Sequence, residues 1–255
     1  MIKNLYNYRE LLKSNVKKEI RGKYKGSFLG VLWSFLNPLL QVAVYAIVFP
    51  YIMRVKTPNY LQYLIVGIIP WTFFTTVINQ GMIAVRMNSG IIKKVYFPRE
   101  ILPISVALSG LVNFFISCII ILIFCIFGGL GLSWHLVLLP VFAVIQFFLT
   151  LGIVMALSAI NICIKDIEYI VQFIINMLFY GTPILYPTTL FPEKLRWILY
   201  VNPLTELVEA YRNIFMYHQL PDLLQTGYLV GITIVIFFIG LAIFRKLEKG
   251  FAEEV

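Results

Sequence analysis

The sequence predicts an all-α integral membrane protein with six transmembrane helices. Of its 255 residues, 60% are hydrophobic and only 13% are charged, against roughly 25% charged residues in an ordinary soluble domain. The apolar residues fall into long runs, and a helix needs about 20 of them to cross ~30 Å of hydrocarbon. This composition excludes a soluble enzyme.

Charge placement and cysteine spacing exclude two further classes of protein. The formal net charge of +9 would suit a nucleic-acid binder, but nearly all charges lie between apolar runs and form no basic patch. We therefore expect no nucleic-acid partner. Cys118, Cys125 and Cys163 lie in or at the end of apolar runs without ligand-like spacing, so we expect core or lipid-facing packing residues and neither a disulfide scaffold nor a Cys-based metal site.

Six apolar segments meet or approach the length of a membrane span. The fourth is long enough to tilt, and the fifth is marginal because Gly181 and Pro183 interrupt its outer end. No signal peptide is expected, because charged, amphipathic sequence precedes the first run. The segments are Ser27–Met53, Leu61–Val85, Ile104–Phe127, Trp134–Ile164, Tyr169–Tyr186 and Thr226–Phe244.

Lysine and arginine residues outside the spans predict the orientation. Sixteen of the 21 Lys and Arg residues lie on one side of the membrane, in the N-terminal segment, residues 86–103, Lys165 and the C-terminal tail. Both termini are therefore expected in the cytoplasm. The other face carries Arg54, Lys56, Lys194, Arg196 and Arg212.

Residues 1–26 are expected to form a helix that lies in the cytoplasmic interface. Apolar residues recur there at steps of three and four, with Lys and Arg between them. Gly22, Gly26 and Gly30 continue at four-residue spacing into the first span. This spacing predicts either close approach of another helix or a flexible hinge. The apolar residues are Leu5, Tyr8, Leu12, Val16, Ile20 and Tyr24.

Residues 187–225 are too apolar for an ordinary loop and too interrupted by proline to span. Asn202 followed by Pro203 predicts an N-cap that opens a helix over Leu204–Tyr217. A shorter helix is expected over Glu193–Tyr200. The two helices would form a re-entrant or interfacial hairpin at the outer face, and a plain extracellular loop is the alternative.

The chain lacks the residues that several transport and enzyme mechanisms need. No glycine is followed by a phosphate-binding Gly-Lys-Ser/Thr motif, so we expect no ATP hydrolysis by this chain and no cofactor. The span cores contain no Asp, Glu, Lys or Arg, which argues against coupling to an ion gradient. His135 and His218 are both expected at outer span ends, so a membrane enzyme is the weaker hypothesis.

Two spans carry stripes of uncharged polar and aromatic residues. Helix packing by hydrogen bonds is one interpretation. The other is a lining for a sugar chain, whose C–H faces stack on rings and whose hydroxyls need uncharged partners. Both stripes would then face one pathway. They comprise Trp33, Asn37, Gln41 and Tyr45 in the first span and Tyr169, Phe173, Asn176 and Tyr180 in the fifth.

Four stretches resemble a known family. They are RGKYKGSFLGVLWSFLNP (21–38), YFPREILP (96–103), TPILYP (182–187) and NPLT (202–205). These stretches resemble the permeases of type-2 ABC exporters that move polysaccharides, the group that contains the O-antigen, teichoic-acid and capsule export permeases. The match covers essentially the whole chain.

The resemblance implies partners and a location that the spacing does not. Such permeases are homodimers in the bacterial cytoplasmic membrane, and each dimer binds two copies of a separate ABC ATPase subunit. The family passes lipid-linked polymers outward through a channel at the dimer interface, lined largely by the first and fifth spans. Membrane lipids surround the dimer.

A cytoplasmic loop, residues 88–103, is the expected contact with the ATPase. Ser89 would cap a short helix with an apolar face, and Pro98 would end it. In the family this segment looks like the coupling helix, and a turn without a partner is the alternative. The residues assigned to coupling are Ile91, Ile92, Val95, Tyr96, Pro98, Arg99 and Glu100.

Three functions are consistent with the sequence. They are an ABC permease for a lipid-linked glycan, an ABC permease for a small lipid or drug, and a membrane enzyme or scaffold. The resemblance favours the first.

Overall fold

The computed structural model describes residues 6–22, 32–51 and 57–251, and within those ranges all regular structure is helical. The expected all-α fold is thus confirmed. The α-helices of the described ranges are α1 (Arg9–Gly22), α2 (Trp33–Tyr51), α3 (Tyr60–Met87), α4 (Ser89–Ile92), α5 (Ile101–Phe127), α6 (Leu139–Cys163), α7 (Ile167–Gly181), α8 (Arg196–Val201), α9 (Pro203–Arg212) and α10 (Leu223–Leu247).

Four helical stretches are long and apolar enough to cross a bilayer. They are Tyr60–Met87, Ile101–Phe127, Trp134–Cys163 and Leu223–Gly250. Two shorter apolar helices, Leu36–Tyr51 and Ile167–Gly181, occupy the predicted first and fifth spans. The predicted first span, Ser27–Met53, extends at both ends beyond the described residues.

Local chemistry explains where the observed helices depart from the predicted spans. Helix α5, in the third predicted span, begins at Ile101 and not at Ile104, because Pro103 then lies in the first turn, where no N–H donor is needed. The fifth ends at Gly181 instead of Tyr186, because Thr182 is extended and precedes Pro183. The sixth begins at Leu223, where the Asp222 carboxylate accepts hydrogen bonds from the first free N–H groups.

Helix α3 forms the centre of the molecule. It packs against α2, α5, α6 and α9 and is buried along most of its length. Because lipid tails are as apolar as leucine, such packing depends on close fit and on polar links between helices. Gln146 of α6 supplies one link: its amide donates to the Pro70 carbonyl at 2.9 Å and accepts from the Tyr211 hydroxyl at 2.8 Å.

Helices α6 and α10 approach each other more closely than side chains would allow. A Cβ atom added at Gly240 would lie 1.9 Å from the Gly152 carbonyl oxygen. A Cβ atom added at Gly152 would lie 2.6 Å from Cα of Phe237. Glycine at both positions therefore permits this backbone-to-backbone contact.

Helix α1 packs along α5 through its apolar face. Lys18 donates to the Asn88 side chain at 3.1 Å, which ties α1 to the end of α3. On the exposed side, a hydrogen bond from Lys13 lowers the pKa of Glu10. An added Cβ at Gly22 would have no atom within 4 Å, so none of the described helices approaches it closely. Gly26 and Gly30, like the ends of the predicted segment 1–26, lie outside the described residues.

The three cysteines do not share one environment. Cys118 and Cys125 are buried, as expected of packing residues, whereas Cys163 is exposed at the end of α6. All three are free thiols.

Candidate functional site

The aromatic stripe on α7 lies on an open face of the protomer. Tyr169, Phe173 and Tyr180 are 79%, 64% and 64% exposed, and Asn176 between them is also exposed. Gln172 donates to the Asn176 side chain at 3.5 Å. Packing among the described residues of the protomer therefore does not explain this stripe.

The opposite face of α7 holds the helix to the bundle. Val171, Ile175 and Phe179 are buried there. The Phe179 ring lies 5.5 Å from Trp71 of α3 and 6.1 Å from Tyr45 of α2, measured between ring centroids. Because α2 contacts this buried face, the α7 stripe points away from α2 within one protomer.

The stripe on α2 divides into two parts. Gln41 donates to the Tyr45 hydroxyl at 3.2 Å, and Tyr45 packs edge-on against Phe49. Trp33 and Asn37, nearer the start of α2, instead line a cavity of about 270 Å³ that α3 and α5 complete. The four residues thus do not form one surface, and the structure does not bring them to the α7 stripe inside the protomer.

The predicted coupling helix is shorter than the sequence suggested. Helix α4 is a single turn, Ser89–Ile92, and not a two-turn helix that Pro98 ends. The capping role of Ser89 is also wrong, because the helix carries no side-chain cap and Asn88 precedes it. Helix α3 continues to Met87. The Asn88 side-chain amide donates to the Ala84 carbonyl at 2.8 Å and so caps the C-terminal end of α3.

The coupling residues fall into an exposed and a buried group. Ile91, Val95 and Tyr96 are 50%, 58% and 91% exposed and form an apolar surface. Ile92 and Glu100 are buried, and Pro98 and Arg99 are half-buried. Phe97, which the sequence analysis did not single out, is also buried and anchors the segment.

Polar contacts join the coupling segment and the helix ends beside it. Arg245 of α10 donates to the Glu100 carboxylate at 3.1 Å, and the Arg99 main-chain N–H donates to the Glu248 carboxylate at 3.3 Å. Just before the segment, Arg86 of α3 pairs with Glu168 in the first turn of α7. The segment is therefore held directly to the end of α10, and the Arg86 pair holds α3 to α7.

The outer segment contains the two short helices that the sequence predicts. Asn202 is the N-cap of α9, since its side chain accepts from the Leu204 N–H at 3.0 Å. Its amide also donates to the Thr182 hydroxyl at 3.0 Å, just beyond α7. After Arg212 the predicted helix continues as a π turn, Asn213–Tyr217. Burial, together with the neighbouring Glu209 and Asp222 carboxylates, raises the pKa of Glu206 to about 7.

Arg212 is the main residue that the sequence analysis missed. It was assigned to the outer surface, yet its side chain is fully buried. The guanidinium donates to the carbonyls of Pro183 and Ile184 at 2.7 and 3.0 Å and pairs with Glu209 at 2.6 Å. It also lies 3.4 Å from the centroid of the Tyr63 ring. Glu209 three residues earlier on an amphipathic helix was the available signal.

Tyrosines of α3 complete the support for the segment after α7. The Tyr63 hydroxyl donates to the Tyr186 carbonyl at 2.8 Å, and the Tyr60 hydroxyl donates to the Leu185 carbonyl at 2.7 Å. With Arg212, these donors satisfy the carbonyls of residues 183–186, where no helix does so. The geometry at the outer end of α7 is therefore fixed.

We expect Arg212→Met to destabilise the protein by about 3–5 kcal/mol, because it leaves buried carbonyls and Glu209 without their donor. The stability of Arg212→Lys should lie between that of Arg212→Met and that of the wild type, since an ammonium group keeps the charge but lacks the planar set of donors of the guanidinium. The measurement is thermal unfolding of the purified chain in detergent. Lys194→Met, at an exposed position of the same segment, is the control. Equal stability of Arg212→Met and Lys194→Met would contradict the role given to Arg212.

Comparisons with known proteins place this architecture in a family. The profile of the ABC-2 type transporter family matches residues 10–216. The chain is 37% identical to an O-antigen export system permease protein of Myxococcus xanthus, over all of this chain and 99% of that protein. It is 36% identical to an O-antigen export system permease protein of Klebsiella pneumoniae, over 96% of this chain and 94% of that protein. It is 25% identical to the polysialic acid transport protein of Escherichia coli, over 91% of this chain and 92% of that protein. With its apolar helix bundle, this chain therefore belongs to the ABC-2 type transporter family.

Proposed function

We propose that this chain is the transmembrane subunit of an ABC transporter that exports a lipid-linked polysaccharide across the cytoplasmic membrane. The observation that carries the proposal is the 37% identity, over the whole chain, to a permease named for O-antigen export. The more distant similarity to a polysialic acid transport protein supports the same substrate class. A separate ATPase subunit would supply the energy.

Deleting the gene from its host should remove the exported polysaccharide from the cell surface and leave lipid-linked glycan inside the cell. Surface glycan is measured by immunoblotting of intact cells, and internal glycan by lipid extraction. Complementation with the wild-type gene is the control. Normal surface glycan with an altered content of a small lipid would favour the alternative, a permease for a small lipid or drug.

We further propose six spans, with both termini in the cytoplasm and the segment 187–225 re-entrant at the outer face. The excess of Lys and Arg on one set of loops supports this orientation. The four long apolar stretches, together with the two shorter helices, supply the spans.

Cysteine labelling tests the orientation. In a Cys163→Ser background, which removes the exposed native thiol, Lys194→Cys should react with an impermeant maleimide in intact cells. Lys94→Cys should react only after the membrane is opened, because it would lie in the cytoplasm. The reverse pattern would contradict the proposed topology.

We propose that the apolar surface of Ile91, Val95 and Tyr96 docks into the ATPase subunit. Its exposure in the protomer supports this role, because large apolar side chains that cluster on a surface mark interaction sites. The ionic contacts of Arg86 and Glu100 would carry the resulting movement into α7 and α10.

Replacing Val95 and Tyr96 by Asp should abolish ATPase binding, since each apolar side chain buried at an interface contributes about 1.5–3 kcal/mol and a carboxylate there is costly. Folding should be unaffected, because both side chains are exposed. Co-purification of the ATPase measures the effect, with Lys93→Gln/Lys94→Gln in the same segment as the control. Full co-purification and transport in the Asp variant would refute the docking role.

We propose that the α7 stripe lines the export channel, completed by a second copy of this chain. The four residues share one exposed face. An uncharged aromatic surface lets a glycan slide, because stacking contacts of similar energy replace one another as the chain advances. Tyr45 and Gln41 would contribute from α2 of the second copy, because α2 of the same protomer contacts the buried face of α7.

Single substitutions Phe173→Ala and Tyr180→Ala should slow export only modestly, because losing one aromatic contact costs on the order of 0.5–1.5 kcal/mol. Tyr45→Ala/Tyr180→Ala should slow it further. Ile174→Ala, exposed on α7 away from the stripe, is the control. Export is measured per folded permease in membranes. If the variants lost the folded dimer but exported normally per molecule, the stripe would be an interface and not a lining.

A further inference from the structure

The cavity between α2, α3 and α5 lies apart from the α7 stripe. Its volume of about 270 Å³ lies just below the range of about 300–1,000 Å³ typical of small-molecule sites. It could hold one compact group, but it could not conduct a polymer. It lies within one protomer, so no second copy is needed to form it.

The walls of the cavity carry hydrogen-bonding residues at helical spacing. Four-residue steps put such residues on one face of each helix. Helix α3 contributes Thr72, Thr76 and Gln80, and α5 contributes Asn113 and Ser117. With Asn37 of α2, three amides and three hydroxyls line one space.

One of these groups lacks a partner. The Gln80 side-chain oxygen is buried and has no hydrogen-bond partner among the described residues. Burying an amide oxygen without a donor is unfavourable, and few buried polar atoms in proteins are left so. A ligand with a hydroxyl group would satisfy it.

The chemistry of the lining defines the ligand. The described lining residues include no Lys, Arg, His, Asp or Glu, so a phosphate or carboxylate would find no opposite charge there. A plain acyl chain would leave the amides unpaired. Trp33, which is 41% exposed, also lines the cavity, and aromatic rings pack well against the C–H face of a sugar.

We propose that this cavity binds a neutral sugar unit attached to a lipid, separately from the path of the polymer. The inference rests on the proposed export function and deepens it, because it assigns a recognition site for one sugar of the lipid-linked substrate. Under the proposed orientation, the α3 lining runs from Gln80, roughly 10 Å from the cytoplasmic end of the helix, to Ile69, roughly 27 Å from it, given about 1.5 Å per helical residue.

Photolabelling of the full-length chain in phospholipid nanodiscs tests the proposal. The probe is octyl glucoside with a diazirine next to the sugar, and labelled peptides are identified by mass spectrometry. Label is expected on the cavity faces of α3 and α5. Excess octyl glucoside should remove it, whereas octyl sulfate, with the same chain and an anionic head, should not.

Variants separate the sugar contact from the general affinity of the probe for the bundle. Gln80→Leu/Asn113→Leu keeps the volume but removes two amides, and labelling should fall about tenfold. Thr76→Val, nearly isosteric, should lower it about threefold. The control is Thr75→Val, adjacent in sequence, where the hydroxyl bonds to the Trp71 carbonyl of its own helix. Correct folding is checked by gel filtration.

Two results would overturn the inference: equal labelling by an octyl diazirine without the sugar, or wild-type labelling in both cavity variants. Export is measured in parallel. If deletion of the gene blocked export while the cavity variants labelled and exported like wild type, the cavity proposal alone would fail. If labelling behaved as expected but deletion left export intact, the export function would fail and the sugar site would stand.

Discussion

The arrangement of the segment that follows α7 depends on one buried arginine. Helix α7 ends at Gly181, and the carbonyls that follow are buried, where no solvent can satisfy them. Arg212 supplies the donors for two of them, and its charge is balanced by Glu209 and the face of Tyr63. Because this cluster joins α3, α9 and the segment after α7, the end of α7 at Gly181 has a defined structure and is not frayed.

The two ends of the bundle are held in different ways. At the outer end the links are hydrogen bonds to main-chain carbonyls within the protein, which fix α7 against α3 and α9. At the other end the links are ion pairs: Arg86 with Glu168, both partly exposed, and Arg245 with the buried carboxylate of Glu100. A partly exposed pair contributes little individually.

The sequence was informative where structure follows from local chemistry. The capping by Asn202 and the apolar helices depend on neighbouring residues, and the structure contains both. Arg212 could not be placed, because its burial depends on carbonyls beyond α7 and on Tyr63, which are distant in the chain. Ser89 failed as a cap because α3 runs on to Met87 and leaves α4 one turn. Helical periodicity groups Trp33 with Tyr45. Their different surroundings, a cavity completed by α3 and α5 for Trp33 and the Phe179 ring for Tyr45, depend on the packing of distant helices, which periodicity does not reveal.

The close crossing of α6 and α10 has a consequence for biogenesis. The groove at Gly152 receives the backbone of α10 around Phe237 and Gly240, and α10 is synthesised well after α6. Until α10 arrives, α6 lacks the backbone that its groove accommodates. A chain cut before Leu223 would keep every residue of the α7 stripe and of the segment that follows α4, yet it would lack the helix that fills this groove. Such a product would present an unfinished bundle to the membrane proteases that remove incomplete proteins.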